Sequence, residues 1–192
     1  MSAPAYDDEL TRCALAAGRG DTIALATFVR ATQRDVHRFV CTLIGRADAE
    51  DVAQETYLRA LNSLPRFAAR SSARTWLFSI ARRAAADHVR VAMRTPRTSS
   101  VPDWEVLAQR QGPSTGSDDR VLLWDLVAAL DTDRREAFSL TQILGLGYAE
   151  AAEVCGCPVG TIRSRVARAR ADLVAALDGR VTAPSPPRDL AQ

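Results

Sequence analysis

This chain of 192 residues contains no lysine: all 25 of its basic side chains are arginine, which a GC-rich coding sequence would explain by itself. It lacks any apolar run near the roughly 18 residues of a membrane span. Its start, "MSAPAYDDELTR", carries acids where a secretory signal would carry a basic segment and an apolar stretch. A cytoplasmic protein with no membrane segment is expected. The cysteines, Cys13, Cys41, Cys155 and Cys157, are scattered without a C-x-x-C pair, and His37 and His88 lie far off in sequence. That is not the spacing of a structural zinc site, and no cofactor is expected. In a reducing cytosol the four are most simply thiols. Strand-like alternation is missing over more than a few residues, and so is any internal repeat.

What is present is helix-forming sequence in two blocks. At 47% apolar content there is enough for packed cores, and the length suits one ordinary domain or two small ones. The fold class expected is all-α, two small helical domains. The first domain spans 7–94, with helices over about 7–17, 21–44, 48–63 and 72–93. Asp21 is its clearest N-cap, Asp48 with Asp51 opens the third helix, and Gly18, Gly45 and Pro65 act as stops. Leu77, Ile80, Ala81, Ala84, His88 and Val91 share one stripe of the fourth helix. Residues 95–117, "TPRTSSVPDWEVLAQRQGPSTGS", have the composition of a flexible linker. The second domain spans 118–178, with helices over about 121–129 and 133–144. The tail 179–192 reads as disordered.

Net charge is only +2, so distribution carries more than the total. Asp48, Asp51 and Glu55 fall at i, i+3 and i+7 on one face of the third helix, opposite Val52, Ala53, Tyr57, Ala60 and Leu64. Part of this acidity complements the helix dipole; the rest reads as a docking face for a basic partner. In "RSSARTWLFSIARRAAADHVRVAMRTPR", Arg70, Arg74, Arg82, Arg83, Arg90, Arg94 and Arg97 face one acid, Asp87. A basic helix beside a small polar loop suits phosphates and an unstacked base. Trp76 is either a core aromatic or a stacking platform, and His88, on the apolar stripe, is given no catalytic role.

The stretch "CGCPVGTIRSRVARAR" admits two readings, a thiol or metal site and a turn launching a basic helix. Cys155 shares a face with Tyr148, Ala151 and Ala152, as a small packing residue would, and Cys157 falls in the turn; a redox pair and a zinc ligand pair are the alternatives. Ala152, Gly156 and Ile162 have the spacing of a helix-turn-helix, with Pro158 and Thr161 at the start of the second helix. Ile162, Val166, Ala169 and Leu173 would be buried together. Outward lie Gly160, Ser164, Ala167 and Arg168, flanked by Thr161, Arg163, Arg165 and Arg170, with no acid before Asp172. Such a face fits readout of the DNA major groove.

Taken together, "DAEDVAQETYLRAL", "RSSARTWLFSIARRAAADHVR" with its D-x-x-R at Asp87 and Arg90, and "GLGYAEAAEVCGCPVGTIRSRVARARADL" resemble the extracytoplasmic-function sigma factors of bacterial RNA polymerase. The resemblance runs from about residue 10 to 178, and its C-terminal phrase is similar to the actinobacterial sigma C branch. It implies that Asp48, Asp51, Gln54 and Glu55 dock on the β′ clamp helices of core polymerase. It further implies that Arg70, Ser71, Ser72, Arg74, Trp76, Arg82, Arg83 and Arg90 melt and read the −10 element. Thr161, Arg163, Ser164, Arg165, Ala167, Arg168 and Arg170 are then the −35 contacts, with the second domain seated on the β flap. Promoter DNA, core polymerase and an anti-sigma factor are the implied partners, and no enzymatic activity is implied. Two departures stand out: Asp131 and Thr132 replace a usual Leu-Pro pair, and Ala167 replaces a larger side chain of some members. The rivals are a stand-alone helix-turn-helix regulator and a thiol redox or metalloenzyme using Cys155 and Cys157.

Overall fold

The computed structural model describes residues 3–94 and 124–181, and every regular element among them is helical. Four helices form the first group: α1 (Ala3–Gly18), α2 (Thr22–Ile44), α3 (Ala49–Ser63) and α4 (Ala73–Arg94), with a 3-10 turn over Leu64–Arg66. After a helical turn at 124–128, the second group contains α5 (Thr132–Phe138), a π-helical segment (Ser139–Ile143), α6 (Tyr148–Cys155) and α7 (Val159–Val181). The predicted linker over 95–117 lies outside the described residues, as does the predicted tail beyond 181.

Local chemistry accounts for most of the boundaries. Asp21 caps α2 through Oδ1, which accepts from the backbone N–H of Ile23 and of Ala24, each at 2.9 Å. Replacing it with alanine leaves both donors to water, and Asp21→Ala is expected to lower stability by about 1 kcal/mol in urea unfolding. Gly18 ends α1 where the chain passes close to the 3-10 turn; a Cβ there would lie 2.6 Å from the Leu64 carbonyl oxygen, so a larger residue must push the two apart. Asp48 differs from expectation. It occupies the N-cap position of α3 but makes no side-chain cap bond, because its carboxylate turns instead to His88 Nε2 at 3.3 Å.

The helix predicted over 133–144 is also different. It changes from α to π at Ser139, with the Leu144 N–H donating to the Ser139 carbonyl at 2.9 Å. The widened turn keeps Leu140 and Leu144 buried together while Gln142 remains exposed. At the other end of the second group, α7 runs to Val181, past the boundary expected at 178.

Phe28, Val36, Phe39, Val40, Leu77 and Phe78 fill the centre of the first group, with Phe39 and Phe78 edge-on at 5.4 Å between ring centroids. The stripe on α4 holds as far as Ala84 and Ala85; His88 is half-buried and Val91 is exposed, so the helix leaves the core in its last two turns. The same apolar cluster continues into the second group through Leu140, Leu144, Leu146, Ala151 and Ile162. A second, smaller cluster joins Leu126, Val127 and Leu130 to Ala169 and Leu173. The two helical groups thus share one continuous seam, formed mainly by α4 against α6.

Candidate protein-docking and nucleic-acid interfaces

The acidic strip is on the outside of α3. Asp51, Gln54 and Glu55 are exposed, while Val52, Ala53, Thr56 and Ala60 anchor the opposite face in the core. Glu55 accepts from Arg59 Nε at 2.7 Å, and Arg59 Nη1 reaches across to Asp87 on α4 at 2.6 Å. That donated bond, with the nearby guanidinium charges, holds the Asp87 carboxyl below its ordinary range. Arg90 closes on the same carboxylate at 3.2 Å, so the D-x-x-R pair is an ion pair within α4 that also fastens α4 to α3. Leu58 and Leu61 continue the exposed strip, at 58% and 40% exposure. Sequence reasoning passed over them, although two leucines off the buried stripe of an amphipathic helix are a legible sign of a surface that meets a partner. Beside the strip, α2 and α3 enclose a groove of about 430 Å³ that includes His37, Glu50 and Tyr57. Burial pushes the Tyr57 hydroxyl up to about 12, and it shares a 2.9 Å hydrogen bond with Thr32.

The residues expected to meet the −10 element divide into two sets. Arg70, Arg83 and Arg90 are exposed, and Ser71 is half-buried in the loop before α4. Trp76 is half-buried with its ring 4.8 Å from that of Phe67, a packed aromatic pair that keeps one edge at the surface. Arg74, expected on the surface, is 8% exposed instead. It lies over the Phe78 ring, pairs with Asp7 at 3.3 Å and Asp35 at 3.5 Å, and donates to the Leu144 carbonyl at 2.6 Å. Burial raises the Asp7 carboxyl despite that guanidinium. Arg82 donates through Nε to Glu136 Oε1 on α5. Ser72 caps α4 by accepting from the Thr75 N–H at 3.2 Å, and its hydroxyl donates to Glu150 Oε1 at 3.1 Å.

Glu150 shapes the helix-turn-helix as well. Its other oxygen, Oε2, accepts from the Gly147 N–H at 2.9 Å and so closes the first turn of α6. Gly156 then ends α6 in the left-handed region, at φ 65°, where glycine carries no Cβ penalty. Ile162, Val166, Ala169 and Leu173 bury one face of α7. The opposite face exposes Arg163, Ser164, Ala167, Arg168 and Arg170, with Thr161 half-buried at its start. Arg165 is drawn inward to Asp133 and sits 3.7 Å from Cys157 Sγ, and Arg170 donates to Gln142 Oε1 at 2.6 Å. Arg163, Arg168 and Arg170 all face outward with no ion pair among the described residues, and of the three Arg170 is the one held by a side-chain hydrogen bond, to Gln142. Cys155 is buried beside Glu136, and burial with that carboxylate pushes its thiol up to about 12. A thiol so protonated is a packing group at neutral pH, not a nucleophile. Tyr148, placed on its face by the helical wheel, is exposed.

Two family models match this chain in order: Sigma-70 region 2 over residues 28–95 and Sigma-70, region 4 over 120–173. The ECF RNA polymerase sigma factor SigC of Mycobacterium tuberculosis is 53% identical over 176 residues, covering 91% of this chain and 95% of that protein. Among solved structures, CnrH, determined with the cytosolic domain of CnrY, superposes with a TM-score of 0.67 at 28% identity, over 89% of this chain and 98% of the other. The sigma factor RpoE of Bartonella quintana, in complex with the anti-sigma factor NepR, superposes equally well at 0.67 and 29% identity, over 80% and 96%.

Proposed function

Because this chain belongs to the extracytoplasmic-function sigma factors of bacterial RNA polymerase, we propose that it works in the cytoplasm by binding alone. The acidic strip of α3 docks on the β′ clamp helices of core polymerase, and the second domain, 118–178, rests on the β flap. The first domain, 7–94, melts and reads the −10 element, and α7 reads the −35 element. No bond is made or broken by this chain. Promoter opening is driven by capture of flipped bases together with phosphate contacts. Each domain's weak hold on DNA strengthens the other's once polymerase fixes the distance between them. No described helix is long and apolar enough to cross a membrane. An anti-sigma factor is an expected partner, as for the relative solved with NepR.

What supports the reading most is that two exposed faces of opposite charge sit on separate helices of one chain: Asp51 and Glu55 on α3, Arg163 and Arg168 on α7. A stand-alone regulator would use the second and leave the first without a role. A metal or redox enzyme would need Cys155 accessible, and it is buried. Run-off transcription with core polymerase on a promoter library tests the assignment and reports both recognition elements. Within that assay Arg168→Ala is expected to cost about 1–3 kcal/mol, and only at promoters with an intact −35 sequence. An equal loss on scrambled upstream DNA would mean that Arg168 meets phosphate alone.

A further inference from the structure

The loop that carries Arg70, Ser71 and Ser72 is tied down from outside itself. We propose that α1, which precedes the residues matched by the Sigma-70 region 2 model, holds this loop in one conformation, with Thr11 and Ala69 as positioning residues for −10 discrimination. The inference rests on the −10 assignment of the loop. Residues 67–72 lie between the 3-10 turn and α4 and have no regular structure of their own. At their entry, Gly18 at the end of α1 approaches the Leu64 carbonyl too closely for a Cβ to fit. At their exit, Thr11 Oγ1 accepts from the Ala73 N–H at 3.0 Å, and Asp7, one turn earlier, pairs with Arg74. The Thr11 hydroxyl proton goes to the Asp7 carbonyl at 2.8 Å, which leaves the oxygen free to accept. Ala73 is fully buried, so bulk water does not replace a lost acceptor. Phe67 packs on Trp76 across the mouth of the loop. All of these contacts lie within the first helical group.

Between the tethers the crest, Ala68, Ala69 and Arg70, is exposed. Ala69 has φ 49°, in the left-handed region that a residue with a Cβ adopts only at a cost, and it is the single non-glycine residue there among the described residues. Such strain persists where the surroundings over-determine it, and here the surroundings are the two ties to α1. A loop already set in one shape loses little entropy on capturing a base and rejects bases that do not match that shape; a slack loop accepts several. Thr11 acts through the Ala73 N–H and Ala69 through its backbone, which leaves contact with the base to Arg70 and Ser71.

Run-off with core polymerase on two promoters that share a −35 element and differ by one base pair in the −10 element gives a discrimination ratio. Thr11→Val keeps the side chain's shape and removes its oxygen; the ratio should fall roughly tenfold, about the weight of one buried hydrogen bond, and Thr11→Ser should restore it. An unchanged ratio, with or without an equal loss on both promoters, would overturn the inference, because a merely structural hydroxyl affects both alike. Ala69→Val and Ala69→Asn decide the matter if Thr11→Val does not fold. The two new side chains are similar in size, but asparagine tolerates positive φ and a β-branched residue does not. Valine should therefore lose the ratio and asparagine retain most of it; equal behaviour of the two would also overturn the inference. Absence of run-off by the natural chain at every promoter would instead sink the sigma assignment, and this inference with it.

Discussion

Reversing two charges on α3, Asp51→Arg with Glu55→Arg, is expected to abolish stable association with core polymerase, a loss of at least about 100-fold in affinity, because like charges brought face to face cost several kcal/mol. Both residues are exposed and point away from the bundle, and the burial that holds α3 comes from Val52, Ala53, Thr56 and Ala60 on the other side. The variant should therefore fold normally, apart from the exposed Glu55 to Arg59 pair. Circular dichroism would verify folding, and co-elution with core polymerase would measure docking. Free-chain binding to −35 duplex should be unaffected, since α7 is a separate surface. Retained co-elution would remove the acidic strip from the interface and shift attention to the neighbouring groove between α2 and α3. Leu58→Ala is the milder companion, because it trims apolar contact area without introducing repulsion.

The largest stability effect is expected at Phe78. Its ring is 2% exposed, meets Phe39 edge-on at 5.4 Å and lies beneath the Arg74 guanidinium at 5.7 Å. Phe78→Ala removes that packing and leaves a cavity, with an expected cost of about 3–5 kcal/mol read from denaturant unfolding. Phe78→Leu should recover much of it by refilling the space. The alanine variant should disturb more than the core, since Arg74 loses its ring support while keeping Asp7, Asp35 and the Leu144 carbonyl as partners. A loss below about 1 kcal/mol would imply that the surrounding helices collapse onto the gap with unusual ease.

Short-range chemistry was legible in the letters. Asp21 and Gly156 end or begin helices through bonds to backbone within a few residues, so their roles are visible without the fold. Periodicity likewise separated the buried and exposed faces of α3 and α7 correctly. Charge balance was not legible in the same way, because it is a property of space and not of a window. The run from Arg70 to Arg97 looks almost unopposed, yet Arg74 is met by Asp7 and Asp35, Arg82 by Glu136 and Ser72 by Glu150, all from other segments. Asp48 shows the converse: its sequence position predicts a cap, but a histidine from α4 lies within reach and takes the carboxylate. The change to π geometry at Ser139 was also hidden, since "DTDRREAFSLTQIL" reads as one continuous helix.

That widened turn gives the segment room for a change in length. Removing one residue between Ser139 and Ile143 would let ordinary helical hydrogen bonding resume, with the Leu144 N–H still donating to the Ser139 carbonyl, then four residues back. Leu144 would stay in the apolar cluster, and the carbonyl that receives Arg74 would keep its direction. The same one-codon deletion in the regular turns of α5 has no spare residue to draw on; it would rotate the chain beyond it by about 100° and misalign everything from Leu144 to the end of α7.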